Sequence, residues 1–169
     1  MKNKKEIVYV GLAADILHEG HINIINKASK LGKLVVGLLT DEAISSFKNI
    51  PFLNYNQRYS IIKNIRKISK VIPQTTLDYT NNLRKLKPNY VVHGDDWKSG
   101  VLKSTRLKVV KELKKWSGKL IEFPYHQGVS SSLIKKKISR LNIYGENRIG
   151  NLKRLIKIKK FVRIIEAHN

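Results

Sequence analysis

Short apolar runs alternate with amphipathic stretches along this chain. Ile7–Leu12 (IVYVGL) and Leu34–Leu39 (LVVGLL) are continuous and rich in β-branched residues, the pattern of strands buried on both faces. Between them Ile22, Ile25, Ala28 and Leu31 recur at helical spacing over His21–Leu31, and Gly32 stands where a glycine closes a helix. Asp41 can cap a short helix ending before Pro51. The spacing of Ile61, Ile62, Ile65 and Ile68 predicts a longer helix over 56–68 with those residues on one face. Lys70–Ile72 predicts a brief third strand stopped by Pro73, and 76–86 a helix closed by Pro88. Tyr90–His93 (YVVH) predicts a fourth strand, Thr105–Trp116 a helix, Leu120–Phe123 a fifth strand and Ser132–Leu141 a further helix. Unbroken apolar strands alternating with helices imply an α/β domain with a parallel sheet covered on both faces and right-handed crossovers.

After Leu141 the character changes. NIYGENRIGN is polar and glycine-containing, and LKRLIKIKKF is strongly basic. This divides the chain into a domain over 1–141, a linker over 142–151 and a basic helical tail over 152–169. The 169 residues, 41% apolar, suit one domain of ordinary size with an appendage, and no run approaches the ~20 apolar residues of a membrane span. The N-terminus shows no cleavage site of a signal peptide. Cysteine is absent, which excludes disulfides, thiolate metal sites and cysteine nucleophiles and fits a cytoplasmic protein. The formal charge is +22, but its lysines are spread over most predicted helices without one stripe of interleaved aromatics. Solvated helix faces explain it, so nucleic acid is not the expected partner.

The segment ADILHEGH, Ala14–His21, falls where the first strand turns into the first helix. A zinc helix of the HExxH type needs histidines four apart, and His18 and His21 are three apart with Gly20 between them. At the carboxyl end of a strand, a helix N-terminus beside a glycine instead presents N–H groups and a positive dipole end to a phosphate. Two imidazoles there can donate hydrogen bonds to phosphoryl oxygens as charge builds.

With its context this segment resembles the HxGH signature of the nucleotidylyltransferase superfamily, whose fold is a Rossmann-like, doubly wound sheet of five parallel strands. Further motifs follow in the family's order: Asp15 three residues before His18, Thr40-Asp41-Glu42 after the second strand with Lys48 beyond, Arg58 and Arg66 eight apart, Gly94-Asp95-Asp96-Trp97 after the fourth strand, and Val129-Ser130-Ser131-Ser132 opening the helix after the fifth. Lys67-Ile68-Ser69-Lys70 is faintly similar to the second motif of class I aminoacyl-tRNA synthetases, but the chain lacks room for an anticodon-binding domain.

The resemblance covers about residues 6–141 and implies transfer of a nucleotide to a phosphate-type acceptor with release of pyrophosphate. It implies catalytic roles for His18, His21 and Lys48, and nucleotide contacts from Leu12, Ala13, Ala14, Asp15, Gly20, Arg58, Arg66, Gly94, Asp95, Ser130, Ser131 and Ser132. It also implies Mg2+ held at Asp15, and Asp96, Trp97 and Tyr125 as candidate acceptor contacts. Two departures stand out. The family's usual Gly-Thr-Phe-Asp is Leu12-Ala13-Ala14-Asp15 here, and the Arg-Thr-Glu-Gly of glycerol-phosphate cytidylyltransferases is Tyr125-His126-Gln127-Gly128.

ADILHEGHINI, VHGDDWKSG and VSSSL are most similar to cytidylyltransferases fused to, or encoded with, phosphoenolpyruvate mutase in phosphonate biosynthesis. The tail LKRLIKIKKFVRIIEAHN resembles the opening of the mutase barrel, so 152–169 is expected to begin a second domain. The expected partners are CTP and a small phosphonate such as 2-aminoethylphosphonate or 2-hydroxyethylphosphonate, a second copy in a homodimer, and a linked mutase domain; no membrane is expected. Two alternatives stay open: cytidylyl or adenylyl transfer to another acceptor such as glycerol 3-phosphate, and a non-catalytic basic binding module on the same fold.

Overall fold

The computed structural model describes residues 6–124, 133–135 and 148–158. Five strands, β1 (Ile7–Leu12), β2 (Lys33–Leu39), β3 (Lys70–Gln74), β4 (Tyr90–Gly94) and β5 (Lys119–Phe123), form one parallel sheet in the order β3-β2-β1-β4-β5. The chain winds outward from β1 to β3, then restarts on the other side of β1 with β4. This reversal puts a crevice at the carboxyl ends of β1 and β4, where open α/β sheets bind ligands.

The helices are α1 (Glu19–Ser29), α2 (Asp41–Ser45), α3 (Tyr55–Lys63), α4 (Thr80–Leu86), α5 (Lys103–Leu113) and α6 (Arg148–Ile158). Alternate strand residues serve two cores. Val8, Val10, Leu34, Val36 and Val92 pack with Ile25 and Ala28 of α1 and Ile62 of α3. Tyr9, Val35 and Val91 face the other way, against Leu83 of α4 and Val109 and Leu113 of α5. The sheet is thus covered on both faces, the doubly wound α/β arrangement that the unbroken apolar strands imply.

Several boundaries differ from the sequence expectation, each for a tertiary reason. Pro73 does not stop β3; it pairs with Leu38, because β3 is an edge strand with β2 as its sheet neighbour. α3 ends at Lys63, so Ile65 and Ile68 pack on the core from the following turns, while Ile61 is exposed. The cap of α2 is Thr40, whose Oγ1 accepts from the Ala43 N–H at 3.2 Å, and Asp41 is the first helical residue. Gly32 lies beyond the α1 cap at Lys30; at its φ of 156° a Cβ would meet the Glu6 carbonyl carbon at 2.9 Å, which only glycine avoids.

Of the basic tail, Leu152–Ile158 form the second half of α6, and α6 packs on α2. Its Arg154 donates to the Pro51 and Phe52 carbonyls at 3.1 and 3.2 Å and pairs with Asp41 at 3.1 Å. The expected helix over 132–141, most of the expected linker and the Glu-Ala-His-Asn end lie largely outside the described residues.

Candidate active site

A cavity of about 1100 Å³ opens at the carboxyl ends of β1, β2 and β4. The turn after β1 shapes its floor. Ala14 adopts φ 47°, a left-handed conformation that costs a residue with a Cβ about 1–2 kcal/mol. Beyond it the buried Asp15 Oδ1 accepts from the N–H groups of Phe52 and Leu53, at 2.5 and 3.3 Å, and Oδ2 pairs with Lys135.

His18 is the N-cap position of α1, in extended conformation, and His21 lies one turn in, with ring centroids 4.0 Å apart. The His18 backbone N–H donates to His21 Nδ1 at 3.3 Å. In a neutral imidazole that bond assigns the remaining proton to Nε2, leaving an N–H donor for the cavity. Gly20 allows a close approach: a Cβ there would sit 3.0 Å from His18 Cε1 and 3.1 Å from its Nδ1, so a side chain at this position would press the imidazole a few tenths of an ångström outward. His18 Nδ1 is buried without a hydrogen-bond partner among the described residues.

Both imidazoles are held neutral. Burial pushes His21 down to about 4, with His18 and Lys48 adding to the effect, and burial lowers His18 against the opposing pull of Glu19. A consequence is measurable in stability. The unfolded chain protonates this histidine near pH 6.5, so between pH 6.5 and about 4 the unfolded state binds more protons and the native state weakens as pH falls. The loss reaches about 3 kcal/mol by pH 4. Urea midpoints of the wild type and His21→Gln should therefore diverge across that window, with the wild type falling faster; parallel curves would show that His21 is not held neutral.

Lys48 reaches the cavity from the chain beyond α2, its ammonium 5.3 Å from the Phe47 ring centroid, and is close enough to lower both His21 and Asp96. Burial alone would raise the Asp96 carboxyl, but the His93 ring 3.6 Å away, with Lys48, holds it below the usual range. Leu12, Ala13, Asp15, His18, Gly20, His21, Lys48, Gly94 and Asp96 all line the one cavity.

Other expected site residues are placed elsewhere. Arg58 is wholly buried beneath the cavity, and its guanidinium donates to the carbonyls of Ala13 and Leu39 at 2.7 Å, to Leu53 at 3.1 Å and to Asp41 at 2.7 Å. Its donors are committed to the protein, so it binds strand ends and not phosphate. Arg66 lies exposed in the turn beyond α3, not on the helix with Arg58, and does not line the cavity. Trp97 is a core residue: its Nε1 donates to Glu122 at 2.7 Å, its ring stacks on His93 at 3.8 Å, and it reaches no cavity surface. Ala14 is buried behind the lining, and Asp95 is half-buried outside it. Tyr125, Ser130, Ser131 and Ser132 fall outside the described residues.

The cavity also uses residues that the motifs give no role. His93 and Asn23, inside the VHGDDWKSG and ADILHEGHINI stretches, line it with Tyr79, Phe47 and Lys27. Gly20, Asn23 and Lys27 recur at helical spacing, a signal present in the sequence that runs past the end of ADILHEGHINI.

Asp15 does not present a vacant carboxylate for Mg2+. Both of its oxygens are engaged, and among the described residues no group of three or more His, Asp or Glu side chains could hold a metal ion. The residues do not fit a metal held by the protein alone.

A parallel α/β sheet with a paired-histidine turn at its switch point is the layout of the nucleotidylyltransferase superfamily. Residues 9–137 match the cytidylyltransferase-like family, and the chain belongs to that family. It is 35% identical over 133 residues to an ethanolamine-phosphate cytidylyltransferase of Dictyostelium discoideum, covering 77% of this chain and 36% of that one. It is 30% identical over 140 residues to a glycerol-3-phosphate cytidylyltransferase of Bacillus spizizenii, covering 82% of this chain and 99% of that one. The chain spans 24% of the length of the ethanolamine-phosphate cytidylyltransferase of Arabidopsis thaliana, which it also matches. Its fold is similar to the crystal structure of a lipopolysaccharide core biosynthesis protein from Thermoplasma volcanium, with TM-score 0.63 and 23% identity over 73% of this chain and 99% of that one. Among the described residues no helix is long and apolar enough to cross a membrane.

Proposed function

We propose that the chain transfers CMP from CTP to a small phosphonate, 2-aminoethylphosphonate or 2-hydroxyethylphosphonate. A phosphonate oxygen attacks the α-phosphorus, the bond to the α–β bridging oxygen breaks, and pyrophosphate leaves with the electron pair. Such a reaction asks the protein for positioning and charge stabilisation more than covalent chemistry. The observation that carries the reading is the pair of imidazoles 4.0 Å apart at the start of α1, sharing one cavity with Lys48. Neutral imidazoles keep an N–H for a developing oxyanion, and the helix N-terminus adds its positive end.

Asp96, which also lines the cavity, stays ionised and can accept from an ammonium or hydroxyl of the acceptor. The relatives' named substrates, ethanolamine phosphate and glycerol 3-phosphate, support a short acceptor with a tetrahedral phosphorus group and support cytosine as the base. The phosphonate rests on the sequence resemblance, which also carries a homodimer and a mutase-like domain that begins in the tail. Mg2+ is assigned to the phosphates of CTP and not to a cage of protein ligands. The same identities favour a second reading, in which the acceptor is a phosphate ester.

Pyrophosphate release tests both, crossing CTP and ATP against the two phosphonates, ethanolamine phosphate and glycerol 3-phosphate in Mg2+ buffer. Release with CTP and a phosphonate is expected. Faster release with either phosphate ester selects the second reading, and silence with every pair overturns nucleotidyl transfer to acceptors of this kind.

A further inference from the structure

The cavity wall formed by Ile50, Pro51 and Phe52 is held from two sides. On the inner side the Phe52 and Leu53 N–H groups donate to Asp15, and the Leu53 carbonyl accepts from Arg58. On the outer side Arg154 of α6 donates Nη1 to the Pro51 and Phe52 carbonyls at 3.1 and 3.2 Å, and its Nη2 pairs with Asp41 Oδ2 at 3.1 Å. Phe52 therefore has its N–H tied to the site carboxylate and its carbonyl tied to α6. Asp41 closes the frame, since its other oxygen takes Arg58, which also bonds the Ala13 and Leu39 carbonyls at the ends of β1 and β2. α6 lies beyond the residues 9–137 matched by the family.

We propose that Arg154 is a positioning residue for the nucleotide cavity, and that α6 is a strap fixing the 50–53 wall; for the kinetics this rests on CTP being the occupant. The planar guanidinium suits the task, because it spans two carbonyls and a carboxylate that a point charge cannot reach together. The coupling runs both ways. An occupant that needs the ordered wall tightens the seat of α6, and loosening α6 weakens the occupant.

The test compares Arg154→Ala, Arg154→Lys and a control, Ile156→Ala, on an α6 side chain that is 56% exposed. Amide hydrogen exchange at Phe52 and Leu53 is measured without ligand, and KM for CTP and kcat by pyrophosphate release. Arg154→Ala should speed exchange at both amides about tenfold and raise KM about fivefold, with kcat within about twofold. Arg154→Lys should fall between, and Ile156→Ala should match the wild type. Unchanged exchange in Arg154→Ala, or the same changes in Ile156→Ala, overturns the strap. Exchange is read without substrate, so a protein silent toward CTP would sink the functional reading while the strap is still decided.

Discussion

Replacing His21 with alanine is expected to lower kcat for pyrophosphate release by about 10²–10³-fold, the loss seen when one preorganised donor to a developing oxyanion is removed. His21 is not poised as a base at neutral pH: burial beside His18 and Lys48 holds it down at about 4. Its usable group is the Nε2–H, oriented because the ring accepts from the His18 N–H through Nδ1. A substitution should therefore separate the two ring nitrogens. His21→Asn can keep an acceptor near the Nδ1 position but brings no donor to the place of Nε2. It should be as stable as the wild type in urea and as inactive as the alanine variant. An alanine variant that keeps kcat within about threefold, with a native circular dichroism spectrum, would remove His21 from the chemistry.

What could be read from the sequence depended on how local the determining contacts are. The strands were legible because burial on both faces leaves an unbroken apolar run, whatever the helices later do. The His18–Gly20–His21 turn was legible for a related reason: the close, tilted pair of imidazoles and the bare Gly20 surface operate within four residues. Pro73 continues β3 where a proline reads as a stop, because whether a missing N–H matters depends on the edge position of β3, which only the assembled sheet decides. Trp97 took its core role from Glu122, 25 residues away and itself forked by Arg106. α3 ends early although Ile65 and Ile68 keep helical spacing, because a turn can deliver the same side chains to the core. The role of Arg154 was hidden in a tail that reads as the basic opening of a second domain, since its partners lie about a hundred residues earlier.

Arg58 is the sharpest case, and its replacement carries the largest expected effect on stability. Arginines spaced like Arg58 and Arg66 between the second and third strands look like phosphate ligands, and a ligand of that kind can be removed without unfolding the chain. Here the guanidinium is 0% exposed and ties the Ala13, Leu39 and Leu53 carbonyls to Asp41. Arg58→Met leaves those carbonyls without their donor and one oxygen of Asp41 without its cation. Breaking a buried pair in this way costs about 3–5 kcal/mol, and Arg154, still paired to the other oxygen of Asp41, holds the loss near the lower figure. At this chain length that is a fall in Tm of about 10 °C, with the urea midpoint lowered to match. Arg58→Lys should recover little, because an ammonium cannot fork to four acceptors on three sides. Asp41→Asn should cost less than Arg58→Met, since the carbonyls keep their donor. If Arg58→Met instead melts with the wild type and loses only affinity for CTP, the guanidinium turns to phosphate in solution and the floor of the cavity is held by something else.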